Sequence, residues 1–382
     1  MVLKVSKRGA IPPFIVMDVL RVANEREAAG EDVLHLEVGQ PNTGAPSPVI
    51  EAAKAALVSE PLGYTEALGL PRLRERIAAY YNTRYGLDVA PQRIVVTTGA
   101  SGGFLLAFLS AFEPGDRVGI TEPGYPAYRN ILVALDLEPV PIRTSLESRF
   151  QPTEELLEPH GDCIEGLIIA SPSNPTGTML RSNELERIAA YCQGKGIRLL
   201  SDEIYHGIGY DEAAATALAF NPEAIVVNSF SKYFSMTGWR IGWMAVPESL
   251  LRSVECLAQN IFISPPTLSQ HGAIRVFDCV DELDANVAVY AKSRNLLLEE
   301  LPKAGFDRLA PVDGAFYLYA NVSKFSRDSE RFCRRMLKEI GIAATPGVDF
   351  DPSKGNHYVR FSFAGSYETI AEATRRLKNW RL

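Results

Sequence analysis

Between residues 94 and 229 the chain repeats one pattern, short uninterrupted apolar runs separated by stretches of helical spacing. The runs fall at 94–97, 116–121, 166–170, 197–200 and 225–227. A strand with one wet face alternates apolar and polar residues, whereas a strand covered on both faces need not. The runs therefore read as strands of a mostly parallel sheet with helices on both faces, an α/β architecture. An apolar helix is expected from about 101 to 112, and Leu185, Ile188, Ala189 and Cys192 mark one face of another. Open sheets of this kind gather ligands at the carboxyl ends of their strands. The residues just beyond each run are thus the first candidates for chemistry.

The two ends of the chain read differently. A helix is expected over 17–29, closed by Gly30, then a short strand at 33–36 and a turn-rich linker from Gly39 to Pro46. Ser47 and Pro48 look like an N-cap and first helical residue, and Leu73, Ile77, Tyr80 and Tyr81 recur at helical spacing. After about residue 283 come a long charged helix, a strand at 315–319, a helix at 328–340, a strand at 357–361 and a final helix. With 382 residues the chain is too long for one core to be the default. The expectation is a large domain over 44–283 and a smaller α+β domain built from 1–43 and 284–382.

Composition removes several function classes. Acidic residues outnumber basic ones, 46 to 39, which argues against general nucleic-acid binding. The five cysteines, Cys163, Cys192, Cys256, Cys279 and Cys333, are odd in number, scattered, and never at CxxC spacing. Neither a disulfide framework nor a metal site is expected, and they read as reduced core residues. Lys4, Lys7 and Arg8 precede an apolar stretch, but Pro12, Pro13 and Asp18 make it a poor signal peptide. No apolar run reaches the ~20 residues that span a bilayer. A soluble, cytoplasmic chain is expected.

Beyond the run at 225–227 comes Ser229-Phe230-Ser231-Lys232, and then Thr237-Gly238-Trp239-Arg240-Ile241-Gly242. A lysine at a buried strand end is partly desolvated, so its neutral, nucleophilic amine becomes accessible. Ser229, Ser231 and Arg240 could hold a phosphate beside it. A snorkelling surface lysine is the bland alternative, and the crowding of these groups makes it the weaker one. Together the two segments resemble the Schiff-base lysine signature of the class I/II aminotransferases, the aspartate-aminotransferase-like branch of the fold-type I pyridoxal-phosphate (PLP) enzymes.

Further motifs follow in the order of that family. Asn174-Pro175-Thr176-Gly177 alone is only a turn; the resemblance gives Asn174 a hydrogen bond to the cofactor's phenolic oxygen, shared with Tyr205. In Ser201-Asp202-Glu203-Ile204-Tyr205 it sets Asp202 against the pyridine nitrogen, where a carboxylate keeps the ring electron-withdrawing. A helix-capping Asp202 is the bland alternative. Thr97-Thr98-Gly99-Ala100-Ser101-Gly102-Gly103 opens a helix, a natural phosphate site, and the resemblance gives the cofactor phosphate to Ala100 and Ser101. The loop is also similar to that of short-chain dehydrogenases, but it does not open a dinucleotide domain, and no Tyr-x-x-x-Lys follows in the right place. Tyr125, in Glu122-Pro123-Gly124-Tyr125, is implied to stack on the cofactor ring. Tyr64, before Gly69-Leu70-Pro71-Arg72-Leu73-Arg74, is implied to reach the phosphate of a partner subunit, and so implies a homodimer. Arg360 and the backbone of Gly39 would hold the substrate carboxylate, with Asn174 beside them.

The resemblance implies ping-pong transfer of an amino group from an L-amino acid to a 2-oxo acid, with Lys232 as both cofactor anchor and proton carrier. Asp202 and Tyr205 would complete the catalytic set. A β-C–S lyase acting on cysteine conjugates could use the same site, and a non-enzymatic amino-acid or PLP sensor stands further off. The sequence offers no second basic residue for a distal carboxylate. Side-chain recognition is expected near Phe14, Ile15, Tyr125 and Ile263.

Overall fold

The computed structural model describes residues 3–381. In chain order its strands are β1 (Leu34–His35), β2 (Ile94–Thr97), β3 (Arg117–Glu122), β4 (Glu138–Arg143), β5 (Gly166–Ala170), β6 (Arg198–Asp202), β7 (Ile225–Ser229), β8 (Gly242–Ala245), β9 (Tyr317–Asn321), β10 (Ile342–Ala343), β11 (Thr345–Pro346) and β12 (Tyr358–Ser362). Strands β2 to β8 form one sheet in the order β2-β8-β7-β6-β5-β3-β4. Only β8 runs against its neighbours; the β3, β4, β5, β6 and β7 pairings are parallel.

The apolar runs are explained by cover on both faces. Side chains alternate across a strand. In β8, Trp243 and Ala245 join one buried cluster while Met244 joins the other; in β7, Val226 faces the first and Ile225 and Val227 the second. Two strands of this sheet were not foreseen. Edge strand β4 carries Pro139 and Pro141 with only Val140 and Ile142 buried, so it lacks a continuous apolar run. Strand β8 starts at the last glycine of Gly238-Trp239-Arg240-Ile241-Gly242, a segment read for its chemistry and not for a strand.

The N-terminal segment joins the C-terminal part through backbone pairing. β1 pairs parallel with β10, and Ser362 N–H donates to Leu36 O at 2.7 Å. β9, β12 and β11 form an antiparallel three-stranded sheet beside them. The strand expected at 315–319 starts two residues later, at Tyr317. Ala315 has φ of 55° and belongs to a turn, where its N–H meets Ile208 O at 2.9 Å. Ser47 is the first helical residue rather than the cap, and Pro46 flanks the helix without a side-chain bond. Cys192, Cys279 and Cys333 are buried as expected, but Cys163 is exposed in the turn before β5 and Cys256 is half-buried on a helix. Among the described residues no helix is long and apolar enough to cross a membrane.

Gly242 opens β8 opposite both Thr97 and Ser229. A Cβ there would stand 2.7 Å from Asn228 O and 3.0 Å from the Gly99 carbonyl carbon. Both neighbours are backbone, which cannot rotate away. Gly242→Ala is therefore expected to lower the unfolding free energy by about 1–3 kcal/mol in urea titrations of cofactor-free protein. An unchanged midpoint would contradict this close packing.

Candidate active site

The carboxyl ends of β2, β5, β6 and β7 open on one cleft. Beyond β2, Ala100 and Ser101 lie in the first turn of helix Gly99–Ala111. The leading N–H groups of a helix have no partner within it and attract anions. Gly99 has φ of 69°, and a Cβ there would lie 2.7 Å from Arg240 Nη2, so the guanidinium sits over the helix start. Arg240 itself is in the left-handed region at φ 51°, and its Nη1 donates to Thr237 O at 3.0 Å. The Ser229 hydroxyl lies 2.9 Å from that of Ser231 and 3.2 Å from Ile241 O. Helix N–H groups, two hydroxyls and one guanidinium thus form a cradle suited to a phosphate.

Lys232 is half-buried and its Nζ donates to Gly39 O at 2.6 Å. Burial, then the neighbouring Arg360 and Arg240, push its ammonium down to about 8, while Asp202 opposes them. A useful fraction of neutral amine is therefore present near neutral pH. Asp202 ends β6 at 4% exposure. Its carboxylate accepts from Ile204 N–H at 3.1 Å and from the Tyr128 hydroxyl. Burial raises this carboxyl to about 6, against the pull of those donors and of Lys232, so it is mostly ionised at pH 7. The local bond to Ile204 shapes a turn after the strand, and Asp202 caps no helix.

Arg360 is buried at the centre of β12. Its Nη1 donates to Asn174 Oδ1 at 2.8 Å, and its Nη2 donates to Thr345 Oγ1 at 3.1 Å and to Glu37 O. The Tyr317 and Phe350 rings lie 4.4 and 4.7 Å from the guanidinium carbon. Its Nε has no partner, a buried donor that fits an anionic ligand. The Tyr205 and Tyr317 hydroxyls meet at 2.7 Å. A Cβ at position 39 would fall 1.6 Å from the Tyr317 hydroxyl oxygen, so any side chain there would force that ring to move.

The cleft brings together Gly39, Ala100, Ser101, Tyr125, Asn174, Asp202, Tyr205, Ser229, Ser231, Lys232, Arg240 and Arg360. Tyr64 is the exception, 83% exposed and away from the cleft of its own chain. Phe14 lines the cleft as expected, but Ile15 and Ile263 do not; Ile263 is half exposed in a turn at φ 66°. Tyr128, Tyr317, Val16, Met17, Ile131 and Ile204 also line it and were not foreseen. Tyr128 follows Tyr125 by three residues at the start of helix Pro126–Ala134, a spacing that could have signalled it. Nothing in the sequence near Tyr317 marks it.

This donor set fits pyridoxal phosphate. The cradle suits its phosphate, Asp202 its pyridine nitrogen, Asn174 and Tyr205 its phenolic oxygen, and the Lys232 amine its aldehyde.

Comparison with known proteins agrees. Residues 31–377 match the family described as aminotransferase class I and II. The valine–pyruvate aminotransferase of Mycobacterium tuberculosis is 50% identical over 381 residues, covering 99% of this chain and 98% of that one. The (5-formylfuran-3-yl)methyl phosphate transaminase of Methanocaldococcus jannaschii is 35% identical, covering 96% of each. Among solved structures, an aminotransferase from Mycobacterium tuberculosis superposes with a TM-score of 0.97 at 50% identity, covering 99% of each chain. Aspartate aminotransferase from Thermus thermophilus with maleate gives 0.93 at 30% identity, covering 99% of this chain and all of that one. These relatives are named for amino-group transfer, and none supports the lyase or sensor alternative. The chain belongs to the class I and II aminotransferases, enzymes that use pyridoxal phosphate.

Proposed function

We propose that this aminotransferase takes its amino group from a branched or otherwise apolar L-amino acid, valine being the first candidate, and passes it to pyruvate. One observation carries the reading. The basic residues lining the cleft are Lys232, Arg240 and Arg360, and the wall beyond them is apolar, formed by Phe14, Val16, Met17 and Ile131. With Arg240 at the phosphate cradle, Arg360 at the substrate carboxylate and Lys232 as the cofactor anchor, no further cation among the described residues lines the cleft for a second carboxylate. The 50% identical valine–pyruvate aminotransferase supports the same choice.

The roles follow from position. Arg360 pairs both oxygens of the α-carboxylate through its planar fork, with Asn174 and Gly39 beside it. Asp202 presents a charge to the pyridine nitrogen, and Ala100, Ser101, Ser229, Ser231 and Arg240 hold the phosphate. Tyr125 closes the cleft over the ring, and its phenol stays neutral because burial raises it to about 12. When bound, the cofactor supplies an electron sink that makes the substrate's α-proton acidic. Lys232 anchors the cofactor; once released, its Nζ removes that α-proton and carries it along the cleft. Tyr205 positions the phenolic oxygen together with Asn174.

The division into a large domain over 44–283 and a small one from 1–43 and 284–382 is part of this proposal. The β1–β10 pairing of the two chain ends supports it. So is a homodimer, supported by the exposure of Tyr64, which would reach the partner's phosphate cradle. A cytoplasmic location is supported by five unpaired cysteines.

Two measurements test the reading. With pyruvate as acceptor, valine is expected to exceed aspartate in kcat/KM by about tenfold or more, since an apolar wall cannot solvate a second carboxylate. Preference for aspartate would overturn the substrate assignment. The second concerns Lys232 in cofactor-free protein. Its folded pKa of about 8 lies below its ordinary 10.5, so the ammonium costs stability in full below pH 8, and the cost fades between 8 and 10.5. Lys232→Met should therefore be more stable than wild type at pH 7, with the advantage shrinking by pH 10 in urea titrations. An advantage equal at both pH values would contradict the buried ammonium.

A further inference from the structure

The wall that would meet the substrate's side chain begins at a helix that cannot cap itself. Helix Ile15–Ala28 starts after Pro12, Pro13 and Phe14, and none of these side chains accepts a hydrogen bond. The acceptors come instead from a residue more than three hundred positions away. Asp349 Oδ1 accepts from Ile15 N–H and Oδ2 from Val16 N–H, both at 3.2 Å. Asp349 is buried, and so is Val16. Burial raises this carboxyl above its ordinary value, against the pull of the two N–H donors, Arg360 and Arg129.

The turn that carries Asp349 touches three sides of the cleft. It spans Gly347–Asp349 and runs directly into Phe350. The Phe350 ring lies 4.7 Å from the Arg360 guanidinium carbon. The Phe350 carbonyl accepts from Gly124 N–H at 3.0 Å, next to Tyr125. Tyr125 in turn packs edge-on against Phe14, 5.7 Å between ring centres. One short turn thus fixes the carboxylate clamp, the Tyr125 segment and the first turn of the helix.

We infer that Asp349 is a specificity-positioning residue: by capping helix Ile15–Ala28 from outside, it holds Phe14, Val16 and Met17 at the distance from Arg360 that an apolar substrate side chain needs. The inference rests on the aminotransfer reading of the cleft. Asp349 does not line the cleft and acts through the helix start it caps. Without it two N–H groups lose their acceptor and the helix start is free to move away. A donor with a long apolar side chain then loses its packing partner, while a donor with only a methyl group has little to lose.

The test compares kcat/KM for alanine and for the longest apolar donor that wild-type holoenzyme accepts, so a mistaken choice of valine leaves it intact. Loss of an N-cap changes an equilibrium by about 3- to 30-fold. Asp349→Ala is expected to lower kcat/KM by that factor for the long donor, mainly through KM, and by less than about threefold for alanine. The cofactor absorbance should be unchanged. Asp349→Asn retains one acceptor and should recover part of the loss; it also serves if the alanine variant fails to fold. Equal losses for both donors, or none, would overturn the inference. Failure of wild type to use any apolar donor would instead sink the substrate reading above.

Discussion

A guanidinium buried to 2% exposure is tolerated only when its donors find partners, and both ends of the Arg360 fork do, while its Nε is left for an anionic ligand. Asn174, from the loop after β5, accepts from one end of the fork. Thr345 and the Glu37 carbonyl accept from the other, and two aromatic rings flank it. These contacts tie three parts of the chain to one atom group: the large sheet, the N-terminal linker and the C-terminal sheet. The cleft exists where those parts meet, so its shape depends on this one cation being satisfied.

The same cation shapes the electrostatics. Arg360 and Arg240 help burial to depress the Lys232 ammonium, while Asp202 works against them. Burial lifts Asp202, and Lys232 with the Tyr128 and Ile204 donors draws it back. Each group is therefore poised first by burial and then by its neighbours. A buried carboxyl and a half-buried amine, displaced towards neutrality from opposite sides, are what an acid–base site needs near pH 7.

Much of this was legible in the sequence, for definable reasons. The continuous apolar runs at β2, β5, β6 and β7 could only be strands covered twice, and the chemistry-bearing segments followed directly after them. What was missed lacked such a signature. Edge strand β4 buries only alternate residues between prolines. Tyr317 reaches the cleft from a strand more than a hundred residues beyond Tyr205, and only the fold brings their hydroxyls together. Asp349 is an unremarkable acidic residue in sequence, and its helix lies at the opposite end of the chain. Tyr64 has a legible motif, yet its own chain leaves it exposed outside the cleft, and only the proposed homodimer would give it a phosphate cradle to reach.

The central claim is that Lys232 alone carries the cofactor, because it is the lysine that the fold places, partly desolvated, in the cleft with Asp202 and Arg360. Borohydride reduction of the holoenzyme followed by peptide mapping tests it most directly. The account predicts one pyridoxyl-modified peptide, with the label on Lys232. A label on any other lysine, or on several to similar extents, would contradict it.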